Sequence, residues 1–143
     1  MDLNATLNPT NALIARINDV VTRGTAITAK TPHLALLSAI TNAATGDVTE
    51  LNPATYDDYA PVDISGKFGA APADGSDQLN TGEIEFPEVG ASGWADIVGV
   101  AILDGAEGTV THVGAFAAAV SFPAKWRARF PIGDLAISTS APA

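Results

Sequence analysis

Residue types able to do chemistry are few and scattered in this chain. Nucleophilic catalysis needs a base held beside the nucleophile. The two histidines are His33 and His112. Both fall in stretches that read as β-strand, and no Gly-x-Ser-x-Gly turn accompanies them. Each reads better as a core or surface histidine than as a base. Paired carboxylates can exchange protons, and Asp57-Asp58 is the obvious pair. Adjacent residues on a strand point to opposite faces, so a solvated loop pair is the plainer reading. Asp74-x-Ser76-Asp77 places oxygen ligands in a tight loop, as calcium prefers, but it lacks the spacing and the bidentate glutamate of an EF-hand. There is no cysteine, which excludes disulfides and thiolate metal sites. No glycine loop able to cradle phosphate and no nucleotide fingerprint is present. The expectation is a protein with no catalytic residue, no metal and no cofactor.

Trp126, Arg127 and Arg129 form the one place where an aromatic ring and cations lie close in sequence. They could make a stacking and basic patch. Against a formal net charge of -9, from 16 acidic and 7 basic residues, they read instead as a strand face paired with acidic neighbours. The same balance argues against nucleic acid, because phosphate binding needs clustered Lys and Arg. It also disfavours anionic membranes. No stretch resembles a membrane span, and the amino terminus lacks a basic start followed by an apolar run. The expected partners therefore include neither nucleic acid nor membrane.

The elements that would carry these residues are mostly strands. Gly93 to Phe116 reads as a hairpin: a nearly continuous apolar run from Ile97 to Leu103, a turn over Asp104-Gly105-Ala106-Glu107-Gly108, and a β-rich return through Thr109-Val110-Thr111-His112-Val113. The first strand is apolar on both faces, so it should lie centrally in its sheet. Before it, Leu13, Ile17, Val20 and Val21 recur at helical spacing, and Asn8-Pro9 and Gly24 mark the ends. This predicts a helix over 9–22 that packs on a sheet. Residues 1–8 read as a loose polar arm, with Leu3 and Leu7 as contact points for a neighbour. Residues 9–143 read as one domain. Further strands are expected over 33–38, 60–68, 82–87, 126–130 and 135–139, with 69–80 as a surface loop and a tail from Ser140 to Ala143. About seven short strands and one amino-terminal helix predict an all-β fold, an antiparallel sandwich of jelly-roll or immunoglobulin-like type. The apolar fraction is 47% but aromatics are only 6%, so this core is built from small aliphatic side chains.

The order of segments carries a resemblance. Leu34-Ala35-Leu36 is followed by Thr49-Glu50, Tyr59, Phe86-Pro87, Trp94, Ile102-Leu103-Asp104-Gly105-Ala106, Gly114 and Gly133-Asp134. This series resembles a family of small tailed-bacteriophage virion proteins, labelled tail-fibre-like or capsid-decoration proteins. Two departures stand out. Ala60-Pro61 replaces the arginine that usually follows the tyrosine, and Asn52 to Asp58 looks like an acidic insertion. The resemblance implies a non-enzymatic building block of the virion, assembled in the host cytoplasm. It implies a capsid decoration (cement) protein on the head surface first, and a tail or tail-fibre component or receptor-binding β-module second. Its partners would be the major capsid protein or tail proteins.

A homo-oligomer, a trimer above all, is the expected assembly. The sheet has edge strands with few charged guards, and the Ala115-to-Val120 run is hard for a monomer to hide. The arm over 1–8 suits a segment that orders on a neighbour. Candidate contact residues are Leu3, Leu7, Tyr59, Trp126, Arg127 and Arg129.

Overall fold

The computed structural model describes residues 1–28, 30–106 and 108–139. Glu107 of the hairpin turn and the tail from Ser140 to Ala143 lie outside these residues. The expected hairpin is the spine of the fold. β7 (Trp94–Asp104) and β8 (Val110–Phe122) pair antiparallel with Val100 opposite Gly114 and Ile102 opposite His112. β2 (Pro32–Asn42) pairs along the other edge of β7, Leu34 against Ile102 and Leu36 against Val100. β7 is therefore interior to its sheet, and its apolar run is buried on both faces for that reason. Val100 and Ile102 join the main core, while Ala101 belongs to a smaller cluster with Leu37 and Val113.

On the outer side of β2 lie β3 (Asp47–Glu50) and the short β4 (Val62–Asp63). Beyond β8 the sheet continues through β1 (Ala5–Pro9), β10 (Leu135–Ile137) and β5 (Gln78–Leu79). A second layer holds β6 (Ile84–Glu85) and β9 (Arg129–Phe130), paired antiparallel. The molecule is thus a mostly-β sandwich with very unequal layers, eight strands over two. β1 and β10 run parallel, while every other named pairing is antiparallel. The main core joins Leu34, Leu36, Val100 and Ile102 of the large sheet to Ile84, Phe86 and Phe130 from the small layer. Trp94 closes the core with edge-to-face contacts, 5.6 Å from Tyr59 and 6.4 Å from Phe122 between ring centroids. Trp94, Ile97, Val100, Ile102, Val113 and Phe130 are buried. Phe116 is half-buried, its ring 6.4 Å from that of Phe130.

The amino-terminal segment departs most from expectation. Residues 1–8 are not a loose arm. β1 lies between β8 and β10, with Asn8 opposite Val113 and Ala5 opposite Leu135. Its side chains alternate, so Leu7 is buried in the core while Thr6 faces out. Only a five-residue strand is needed, and Asn4-Ala5-Thr6-Leu7 carries too little hydrophobic signal to announce it. Gly114 is what lets β1 approach β8: a Cβ there would sit 2.5 Å from the Thr6 carbonyl oxygen. Residues 78–79, read as loop, likewise pair with β10.

The helix α1 spans Asn11–Arg23, so it starts two residues late. Asn8 and Pro9 belong to β1, and Thr10 is the cap. Its Oγ1 accepts from the Leu13 N–H at 3.3 Å. Gly24 ends the helix at φ 66°, in the left-handed region glycine tolerates. The apolar stripe packs on the sheet only in part: Leu13 and Ile14 are half-buried beside His112 and Ile137, while Ile17, Val20 and Val21 are exposed and no residue of α1 is fully buried.

Asn80 is a buried polar residue that sequence reasoning passed over. Its Nδ2 donates to the carbonyls of Gly82 and Pro131, at 2.9 and 3.0 Å, and its Oδ1 accepts from the Gly133 and Leu135 N–H groups, at 3.0 and 2.9 Å. One side chain thereby pins the approach to β6 against the turn before β10.

Two substitutions test this frame. Leu7→Ala should cost about 2–5 kcal/mol, the range for removing a buried leucine side chain and leaving a cavity. A loose arm would leave the urea midpoint unchanged. Ile102→Ala should cost a comparable amount in the same assay, since both neighbours of β7 pack around it.

Candidate interaction surface

Of the six candidate contact residues, three are interior. Leu3 is 5% exposed, Leu7 fully buried and Tyr59 4% exposed, so none presents a surface to another molecule. Strand alternation puts Leu3 and Leu7 on the core side of the amino-terminal segment. Tyr59 is drawn in by Trp94.

Arg127 and Arg129 are brought together with acidic partners on the small layer, and Trp126 directly precedes them in the chain. Alternation along this segment buries Ala128 and Phe130 and turns Arg127 and Arg129 outward. Trp126 remains 47% exposed, the large aromatic most open to solvent. Both arginines are paired. Arg127 Nη1 lies 3.2 Å from Glu85, and Arg129 Nε donates to Asp2 Oδ1 at 2.6 Å with Glu83 at 3.8 Å. The Asp2 hydrogen bond, then its charge, holds the Arg129 guanidinium above its ordinary pKa. Backbone bonds from Leu3 N–H to Arg129 O and from Arg129 N–H to Met1 O lay the amino terminus along β9. The face is thus a strip of alternating charge beside one ring, not a free basic patch, as the net charge led one to expect. Asp2 was not legible as a partner, because it lies 127 residues from Arg129 in sequence.

Four of the residues that carry the family resemblance, Leu36, Glu50, Tyr59 and Trp94, meet in one place. Tyr59 Oη accepts from the Leu36 N–H at 3.1 Å and donates to Glu50 Oε1 at 2.8 Å. Trp94 Nε1 donates to the Asp57 carbonyl at 2.8 Å, and Asp57 Oδ2 accepts from Ser92 Oγ at 2.8 Å. The irregular excursion from Asn52 to Asp58 is therefore latched over the core. Burial raises the Glu50 carboxyl pKa, partly offset by the Tyr59 hydrogen bond. Burial also pushes the Tyr59 phenol well above its ordinary value.

The other chemical candidates are placed separately. Asp57 is structural, and Asp58 is exposed at φ 63°. Asp74 Oδ1 is taken by Ser76, from N–H at 3.0 Å and Oγ at 2.6 Å, which lowers its pKa. Among the described residues no three acidic or histidine side chains cluster as a metal site would require. His33 Nδ1 is 3.1 Å from the Thr31 carbonyl. His112 lies beside Thr111 Oγ1, at 3.0 Å, and borders an apolar groove with Leu13, Ile14, Ile17 and Ile137. Burial lowers its pKa to about 4.

Tyr59→Phe should cost roughly 1–3 kcal/mol, because it leaves the Leu36 N–H without its acceptor. An unchanged unfolding midpoint would show the hydroxyl to be idle. His112 gives a pH prediction. Its folded-state value lies below its ordinary one of 6.5, so between those pH values the unfolded chain takes the proton and the native one does not. Its contribution is complete above about pH 6.5 and fades as pH falls towards 4, by on the order of 2–3 kcal/mol. Glu50 works the other way, favouring the native state as pH falls through its raised pKa. The stability gap between wild type and His112→Gln, followed by urea melts from pH 7 to 4, isolates the histidine: it should shift steadily against wild type.

No curated protein matches the chain at a significant level. A family model does match, over residues 8–138, which takes in the helix and every named strand except the first three residues of β1. On that match the chain belongs to the family described as Podophage GP4 fiber I protein gp80, a virion structural family of tailed phages.

Proposed function

We propose that this chain is a non-enzymatic component of a tail fibre, present in several copies per fibre. The observation that carries the reading is the extent of the family match, which spans nearly the whole sandwich rather than a shared fragment. The fibre designation favours a tail position over the head-surface cement role that the sequence resemblance put first. The surface supports a building role. Arg127 and Arg129 are held in ion pairs, and the histidines and carboxylates are scattered or structurally engaged. Trp126, 47% exposed, offers an apolar point at which a neighbouring protein could be held.

Antibody labelling of purified particles, read by electron microscopy, tests the location. Label on the fibres, with a copy number in the low tens or fewer by quantitative mass spectrometry, is the expected result. Hundreds of copies spread over the head would return the protein to capsid decoration. Trp126→Ala should leave the fold intact and weaken incorporation into particles by several-fold.

A further inference from the structure

The amino-terminal segment alternates along its length. Leu3 and Leu7 are buried, while Asn4, Thr6 and Asn8 line a trough of about 610 Å³ that spans β8, β1 and β10. These three side chains are uncharged, and among the described residues none of them is used in a hydrogen bond. Around them Ala115, Ala117 and Ala136 keep the floor low, and half-buried Phe116 adds apolar surface. The volume falls within the range of about 300–1,000 Å³ found for ligand sites. Asp134 is the one charge among the described lining residues, and no lysine or arginine joins it.

We infer that this trough holds an uncharged saccharide chain lying along β1. The inference goes beyond the building role and does not depend on where in the particle the chain sits. Three features select that ligand. The first is donor and acceptor character. An asparagine amide and a threonine hydroxyl can each both donate and accept. A sugar hydroxyl does the same, so each side chain can meet one in either sense. A phosphate or carboxylate ligand would want cations, and the described lining has none. The second feature is the backbone of β1. The strand is interior to its sheet: the Ala5 N–H donates to the Asp134 carbonyl, the Leu7 carbonyl accepts from the Ser138 N–H, and Asn8 pairs with Val113. A peptide arriving as an added strand would find no open edge here. What the trough offers is side chains over a floor of methyl groups. The third feature is length. Alternate residues of a strand stand roughly 7 Å apart, so Asn4 to Asn8 covers roughly 13 Å. A ligand that touches all three is longer than one sugar ring.

The test is isothermal titration calorimetry on the full chain. The probes are neutral hexasaccharides of α-linked glucose, β-linked glucose and β-linked N-acetylglucosamine. At least one should bind, and more tightly than its own monosaccharide. Asn4→Ala and Thr6→Ala should each weaken it several-fold, the loss of one uncharged hydrogen bond. Ala117→Trp, which fills the trough from its wall, should exclude it. All three positions are exposed, so these variants should keep the wild-type urea midpoint. Trp126→Ala should bind as wild type does. No heat with any neutral probe up to its solubility would overturn the inference. So would binding that survives Asn4→Ala and Thr6→Ala but is lost with Trp126→Ala. A tighter response to anionic oligogalacturonate or to a cationic chitosan oligomer would overturn the uncharged ligand. Loss of the fibre location in particles would leave this solution result standing.

Discussion

The insertion of β1 between β8 and β10 is the constraint on which the rest of the sandwich depends. The hairpin of β7 and β8, with β2, could form from residues 32–122 alone. The far side of the sheet could not. β10 reaches the hairpin only through β1, and β5 reaches it only through β10. The amino-terminal segment continues past β1 along β9, through the Leu3 and Arg129 backbone bonds and the Asp2 ion pair. The first nine residues therefore tie both layers together across most of the chain length. Pairing at such separation gains nothing until the intervening chain has been ordered, so this seam should form late and reward the fold as a whole.

The polar interior follows the same logic at a smaller scale. Tyr59 and Asn80 each satisfy backbone groups that no strand can reach. Tyr59 serves β2 at the point where the chain leaves β3, and Asn80 serves the turn before β10. Buried polar groups are costly unless fully bonded, and here both are. Among the described residues no buried side-chain donor or acceptor lacks a partner. Leu36, Glu50 and Trp94 gather round Tyr59, and together they close the core.

That architecture suits a fibre subunit. Acidic charge is spread over loops and strand faces, and the exposed arginines on the small layer are matched by Asp2, Glu83 and Glu85. Apolar surface is concentrated instead on α1 and at Trp126. A subunit with charge dispersed and apolar surface gathered can remain soluble while keeping defined places to meet its neighbours.

Much of this was legible from residue order. The β7–β8 hairpin, the central place of β7, the mostly-β class with one helix and the Gly24 cap all follow from local pattern. In each, the signal and the partner lie within a few residues of one another. The pairing of Trp126, Arg127 and Arg129 with acidic groups followed from net charge, though not which carboxylates would serve. Tertiary structure decided the rest. Residues 1–8 read as an arm because four or five residues of mixed polarity carry no periodicity; they become a strand only because two distant edges stand open to receive them. Asn80 reads as loop until four backbone groups converge on it. The stripe on α1 reads as a core face, since amphipathic periodicity reports that a face must be covered, and only the tertiary structure shows that Leu13 and Ile14 are half-covered while Ile17, Val20 and Val21 stay exposed.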